Sequence, residues 1–207
     1  KNGLIFGVST KKGELIPCSA VVVTCGTFLN GLIHIGRKSF RAGRLGEVSA
    51  RGLTENLIDL GFVSGRLKTG TPPRISRKSI DFDFVDVAKG DEIYHPFSLL
   101  GLRDKPLQQE DCFLVNTNKH SHEIIKKNFK LSAMFSGKIK GVGPRYCPSI
   151  EDKVFRFKER SSHHLFLEPE WRGSNQIYVN GFSTSLPQRV QVQSLKKIKA
   201  LKDVQFI

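Results

Sequence analysis

The run Gly143-Pro144-Arg145-Tyr146-Cys147-Pro148-Ser149-Ile150-Glu151-Asp152-Lys153 holds the residue types best suited to covalent chemistry. Cys147 has Arg145 two positions before it and Lys153 six positions after it. Ser149 and Asp152 fit the S-x-x-[DE] capping pattern, so a helix is expected to start just beyond the cysteine and to bury part of Val154-Phe155-Arg156-Phe157. A thiol beside the positive end of a helix and a fixed guanidinium is biased toward thiolate, the nucleophilic form. The same spacing also suits a small buried cysteine in a Gly-Pro turn, because free cysteines are among the most buried residue types.

Two other stretches could meet a phosphate or a nucleotide. Gly65-Arg66-Leu67-Lys68-Thr69-Gly70-Thr71-Pro72-Pro73-Arg74 places Arg66, Lys68 and Arg74 with two hydroxyls on a loop that its prolines keep from becoming a helix. It reads either as a structural turn or as a surface for phosphate or ribose, which makes Arg66, Lys68 and Arg74 the candidate substrate contacts. The apolar run Ala20-Val21-Val22-Val23 ends in Thr24-Cys25-Gly26-Thr27. A buried strand that runs into glycine is how a doubly wound sheet lets its backbone approach a dinucleotide.

Charge points the same way. The 207 residues carry a formal net charge of +14. Residues 37–78 hold ten Lys/Arg against three acids, and residues 126–160 repeat that ratio, so these two segments contain the whole excess. Concentrated positive charge is the footprint of a polyanion partner, although a solvated basic surface has the same composition. The four cysteines form no C-x-x-C pair and the histidines have no H-E-x-x-H spacing, so neither a disulfide scaffold nor a metal site is expected. No apolar run approaches the ~18 residues of a membrane span.

Several elements must position these residues. Leu4 to Thr10 and Leu15 to Thr24 read as two strands about the turn Lys11-Lys12-Gly13-Glu14, the second covered on both faces at Ala20 to Val23. Ser49 to Leu60 reads as a core-packing helix stopped by Gly61. Residues 79–111 read as an insertion of short strands and loops, with Asp81 to Asp86 alternating like a strand. Strands are expected at Cys112 to Thr117, Phe166 to Glu170 and Ile177 to Phe182. Helices are expected at Asn118 to Phe129, burying Ile124 and Ile125, and at Pro187 to Lys202, a basic amphipathic segment.

Taken together, Thr24 to Leu29, Ile33-His34-Ile35-Gly36, Gly65 to Arg74, Asn116-Thr117-Asn118, Met134-Phe135-Ser136-Gly137, Gly143 to Lys153, Phe166 to Glu170 and Asn180-Gly181-Phe182-Ser183-Thr184-Ser185-Leu186-Pro187 resemble the MnmG/GidA family. The resemblance is collinear over essentially the whole chain. It implies an α/β fold, part of a glutathione-reductase-like FAD-binding Rossmann domain with an inserted mixed α/β domain. Residues 1–78 and 161–207 would belong to the FAD-binding domain and 79–160 to an inserted NADH-binding domain.

The family's activity is flavin-dependent installation of an aminomethyl-type group, carboxymethylaminomethyl or taurinomethyl, on C5 of the wobble uridine of tRNA. The resemblance implies FAD, NADH and a methylene-tetrahydrofolate carbon donor, with tRNA, a GTPase of the MnmE family and a second copy of the chain as partners, and no membrane. It implies Cys147 as one of two essential cysteines, supported by Arg145. Thr24, Gly26, Thr27 and Ser49 would contact FAD. Gly143, Pro144, Arg145, Tyr146, Pro148, Ser149, Ile150, Glu151, Asp152, Lys153, Val154, Phe155, Arg156 and Phe157 would form the nicotinamide-nucleotide segment.

Some parts of the family pattern are missing. The chain has no G-x-G-x-x-G fingerprint, and residues 41–47 read Arg-Ala-Gly-Arg-Leu-Gly-Glu rather than the family's Arg-Ala-Gly-Asp run. It therefore reads as a central slice of a longer enzyme that does not turn over alone. The high pI favours a mitochondrial homologue, with the bacterial cytoplasm as the alternative. A non-catalytic tRNA-binding module and a generic FAD/NAD(P)H oxidoreductase are the competing readings.

Overall fold

A five-stranded antiparallel sheet organises most of the chain, and its strands show the period-two alternation of a sheet with one covered face. The computed structural model describes residues 3–93, 95, 96, 98, 108–139, 141, 143 and 147–207. These form two compact units, Lys1–Leu32 with Arg41–Ser64 and Ile33–Phe40 with Gly65–Ile207. The sheet lies in the larger unit. Its order is β5 (Arg74–Ser76), β9 (Gln176–Asn180), β8 (His164–Pro169), β7 (Cys112–Asn116) and β6 (Asp86–Ala88).

Register places Ile75 opposite Ile177, Val179 opposite Leu167 and Leu165 opposite Val115, all on the buried face. Three helices cover that face: α2 (Lys119–Lys127), α3 (Ile150–Arg156) and α4 (Gln188–Leu195). They contribute Ile125, Ile150, Val154, Val190 and Leu195 to one core. Asn118 and Ser121 cap α2 reciprocally at 3.0 and 2.9 Å, satisfying two donors that the first turn leaves open. The expected boundaries at residues 78 and 160 both fall inside this unit, whose sheet takes strands from either side of each.

The mixed α/β class expected from sequence is what the structure shows, with three local differences. The terminal helix ends at Leu195, not Lys202, and a 3-10 turn follows at Lys199–Leu201. Ile198, Ala200, Leu201 and Val204 are all buried. On a straight helix Ala200 would lie roughly 140° around from Leu195, off the apolar stripe, so the chain bends to bury both. Residues 82–84 form a 3-10 turn rather than a strand, with the Phe82 ring edge-on to Phe113 at 4.9 Å; the strand begins only at Asp86.

The third difference lies in the smaller unit. There β1 (Gly7–Ser9) and β2 (Leu15–Pro17) form the expected hairpin, its turn using Gly13 at φ 85. Ala20 to Val23 is not a strand, and Val22 is 85% exposed. A strand needs a neighbour's N–H and C=O groups, and β1 and β2 pair only with each other. Helix α1 (Leu53–Asp59) buries no residue, so it is not the core-packing element that its periodicity suggests. Between the units' sequence segments, β3 (Leu32–Ile35) and β4 (Lys38–Arg41) form a ribbon about Gly36 at φ 57. Among the described residues, no helix is long and apolar enough to cross a membrane.

Candidate functional site

One extended segment, Gly181 to Pro187, gathers the motifs that sequence scatters. It leaves β9 through Gly181, whose φ of 90 is a left-handed conformation that a side chain disfavours. The Ile150 N–H donates to the Ser183 carbonyl at 2.7 Å, fixing the start of α3. The Thr71 N–H donates to the Thr184 carbonyl at 3.2 Å, and the Gly36 N–H to the Ser185 carbonyl at 2.8 Å. A Cβ at Gly70 would stand 2.3 Å from the Thr184 nitrogen and 2.5 Å from the Ser183 carbonyl carbon. Only glycine lets these two backbones come so close.

These anchors bring the 65–74 loop alongside the segment that ends in Cys147. A Cβ on Gly141 would lie 3.0 Å from the Arg66 carbonyl oxygen, and one on Gly143 would lie 3.7 Å from that of Lys68. At the end of this track the Thr69 Oγ1 is 3.0 Å from the Cys147 Sγ. Cys147 is exposed. Lys153 donates to the Gly181 carbonyl at 3.2 Å. Burial pulls its ammonium below the usual lysine value, and the nearby Cys147 pushes the other way. Tyr178 also senses this sulfur. Burial raises its phenol, the Arg74 guanidinium opposes that, and Glu168, Cys147 and Glu170 reinforce it. The Thr69 hydroxyl is thus the direct neighbour of an exposed thiol whose charge also bears on Lys153 and Tyr178.

Helix α3 begins as its sequence predicts. Ser149 accepts from the Asp152 N–H at 3.1 Å, and Asp152 accepts from the Ser149 N–H at 3.3 Å. Glu151 is fully buried rather than a surface residue. Its Oε1 accepts from the Ser185 N–H and the Ser132 hydroxyl, each at 3.0 Å. Burial raises this carboxyl's pKa against the effect of those donors.

The nicotinamide-nucleotide expectation for 143–157 meets a difficulty here. The first N–H groups of α3 are taken by Ser183 and Ser149, and the Asp152 carboxylate occupies the cap. A pyrophosphate bound there would displace protein partners and meet a carboxylate, so the helix start does not fit that group.

The remaining predicted residues are spread out. Pro144, Arg145 and Tyr146 lie outside the described residues. Pro148 is half-buried, and Val154 is buried while Phe155 and Phe157 are exposed. Arg156 is also exposed. Arg74 pairs with Glu170 at 2.9 Å and stacks on the Tyr178 ring at 4.9 Å. Lys68 is half-buried beside Gly143, and Arg66 is exposed. In the smaller unit Thr24, Gly26 and Thr27 sit on an exposed turn, with Gly26 at φ 65. There the Ser49 hydroxyl oxygen is buried and has no partner among the described residues, which fits a ligand contact.

Sequence reasoning read the Thr69 hydroxyl only as part of a phosphate or ribose surface, not as a neighbour of Cys147, and it missed Ser132 and Ser185. It also missed a buried pair, His122 stacked on His163 at 5.1 Å, with Thr117 bonded to His122 at 2.8 Å.

Comparison with known proteins covers all of this. The family model "Glucose inhibited division protein A" matches residues 1–207. The chain is 51% identical over 208 residues to the tRNA uridine 5-carboxymethylaminomethyl modification enzyme MnmG of Chlorobium phaeovibrioides, covering 100% of this chain and 34% of that protein. It is 48% identical to the enzyme of the same name from Cytophaga hutchinsonii, covering 100% of this chain and 33% of that protein. The solved structure of Aquifex aeolicus GidA, form I crystal, superposes with a TM-score of 0.81 at 43% identity, over 100% of this chain and 35% of that one. The chain spans about a third of the length of these relatives. They are bacterial, so they lend the mitochondrial expectation no support.

Proposed function

Because this chain belongs to the glucose-inhibited division protein A family, we propose that it is the central part of a bacterial-type, flavin-dependent enzyme that modifies C5 of the wobble uridine of tRNA, installing the carboxymethylaminomethyl group named in its relatives. The observation that carries this reading is the exposed Cys147 sulfur, held 3.0 Å from the Thr69 hydroxyl with Lys153 nearby. A binding module needs no such arrangement.

C5 of uridine is a weak nucleophile. A Cys147 thiolate that adds to C6 forms an S–C6 bond and breaks the C5=C6 π bond, and the electron pair moves toward the C4 carbonyl oxygen. C5 then attacks the iminium carbon of the donor, forming the C–C bond while the C=N π pair moves onto the donor nitrogen. Loss of the C5 proton and expulsion of the thiolate restore the double bond and the free sulfur. Thr69 and Lys153 orient and stabilise the sulfur anion, and Lys153 is held for this by the Gly181 carbonyl. Lys68 and Arg66, alongside the cysteine segment, are placed to meet phosphate.

FAD would supply the electron transfer that the reaction requires. Thr24, Gly26, Thr27 and Ser49 would hold it, the Ser49 hydroxyl having no partner among the described residues. NADH as reductant, methylene-tetrahydrofolate as carbon donor, a GTPase partner and a homodimer belong to the same proposal for the full-length protein.

The test uses full-length protein and tRNA carrying 5-fluorouridine at the wobble position, where fluorine prevents loss of the C5 substituent. A covalent protein–RNA band on a denaturing gel is expected for the parent and absent for Cys147→Ser. Normal wobble modification by Cys147→Ala would overturn the proposal.

A further inference from the structure

Helix α3 buries Ile150, Glu151 and Val154 along one stripe, leaving Phe155 47% exposed and, just past the helix end, Phe157 41% exposed. The core therefore does not account for either ring. Phe155 instead joins a surface aromatic group. Phe135 stacks on Phe129 at 4.8 Å and 11°, and Phe155 stands edge-on to Phe135 at 5.5 Å.

Cations are laid over the exposed rings, with the Lys158 ammonium 5.2 Å from the Phe155 centroid and the Arg160 guanidinium 5.4 Å from that of Phe157. Both cations also line an open cavity of about 220 Å³, shared with Lys119, His122, Lys126, Ser161 and two glutamates. Among the described residues, none of Lys119, Lys126, Lys158 and Arg160 is in an ion pair.

Exposed aromatic rings beside cations that are in no ion pair match single-stranded nucleic acid, whose bases stack on rings while its phosphates meet Lys and Arg. A protein partner fits less well, since the buried centres of protein interfaces are depleted of lysine. We propose that Phe135, Phe155 and Phe157, with Lys158 and Arg160, form a stacking platform for unpaired RNA nucleotides next to the one presented to Cys147. The inference rests on the tRNA reading above and adds where the neighbouring bases go.

Phe155 follows Cys147 by eight positions, on the helix that starts three residues after the cysteine.

Binding of a fluorescein-labelled anticodon-arm RNA to the full-length protein, followed by anisotropy across a salt series, tests the platform. Phe155→Ala with Phe157→Ala is expected to weaken binding about tenfold or more without changing the salt slope. Phe155→Tyr, which keeps the ring, should restore affinity. Lys158→Gln with Arg160→Gln should shrink the slope by about 1.4, at ~0.7 per phosphate on a single strand.

An unchanged Kd in the aromatic variants overturns the platform, as does a large fall in their Tm with the Kd intact, which would mean that the rings are covered by protein. Cys147→Ser separates the two readings. It is expected to bind normally and fail to modify. If it modifies tRNA, the covalent reading fails and the platform stands.

Discussion

Thr69 and Cys147 are 78 positions apart in sequence, yet the hydroxyl oxygen and the sulfur lie 3.0 Å from each other. A hydrogen-bonding neighbour at that distance fixes the direction from which the sulfur can attack. Thr69→Val, which keeps the shape and removes the hydroxyl, is expected to slow iodoacetamide alkylation of Cys147 at pH 7 several-fold, with Thr69→Ser close to the parent. Peptide mass spectrometry reads the site. Equal rates in all three proteins would make the contact incidental.

Gly70 predicts a packing effect on the same loop. An alanine methyl would be driven into Ser183 and Thr184 backbone atoms, which cannot rotate away. Gly70→Ala is expected to cost about 1–3 kcal/mol, the usual range for overpacking, and to change the Cys147 alkylation rate. Thermal unfolding and alkylation together check it, since a strain confined to this loop must move both.

Glu151 gives a pH-dependent prediction. Burial raises its carboxyl pKa, so its contribution to stability is present in full below the unfolded value near 4.5 and is lost as pH rises through the folded value. Glu151→Gln stays neutral and keeps an acceptor for Ser132 and Ser185, so it should gain on the parent as pH increases from 5 to 8. Glu151→Ala leaves those donors without an acceptor and should lose about 1–3 kcal/mol. Tm against pH for the three proteins settles it.

His163 predicts the opposite trend. Burial, helped by His122, Lys153 and Arg160, pulls it to about 4, so it is neutral in the fold. The unfolded chain takes up a proton near 6.5, so the stability it contributes is complete above that pH and declines as pH falls toward about 4. His163→Gln removes the titration. Its Tm should therefore fall less steeply than the parent's between pH 7 and 4.5, and parallel curves would contradict the assignment.

Much of the larger unit was legible in sequence because its strands are half-covered. Alternation in Phe113, Val115, Leu165, Leu167, Ile177 and Val179 directly encodes the buried face. The cap at Ser149 was legible for a similar reason, since its partner lies three residues away. The Ala20–Val23 run and α1 misled because an apolar pattern says that a surface wants cover, not that the residues supplying the cover are at hand. In the site, Cys147 was found through its neighbours in sequence. The Thr69–Cys147 contact spans 78 positions and the bond from the Ser185 N–H to Glu151 spans 34, separations that no local pattern records.

The segment after Gly181 hands successive carbonyls to α3, to Thr71 and to the ribbon at Gly36. Its partners are therefore assigned by counting, so spacing is constrained as tightly as residue identity. Losing or gaining one residue between positions 182 and 186 would offer these carbonyls to the wrong partners, detaching the Cys147 segment and its hydroxyl neighbour in one step. Point substitutions here should be survivable far more often than single-codon insertions or deletions.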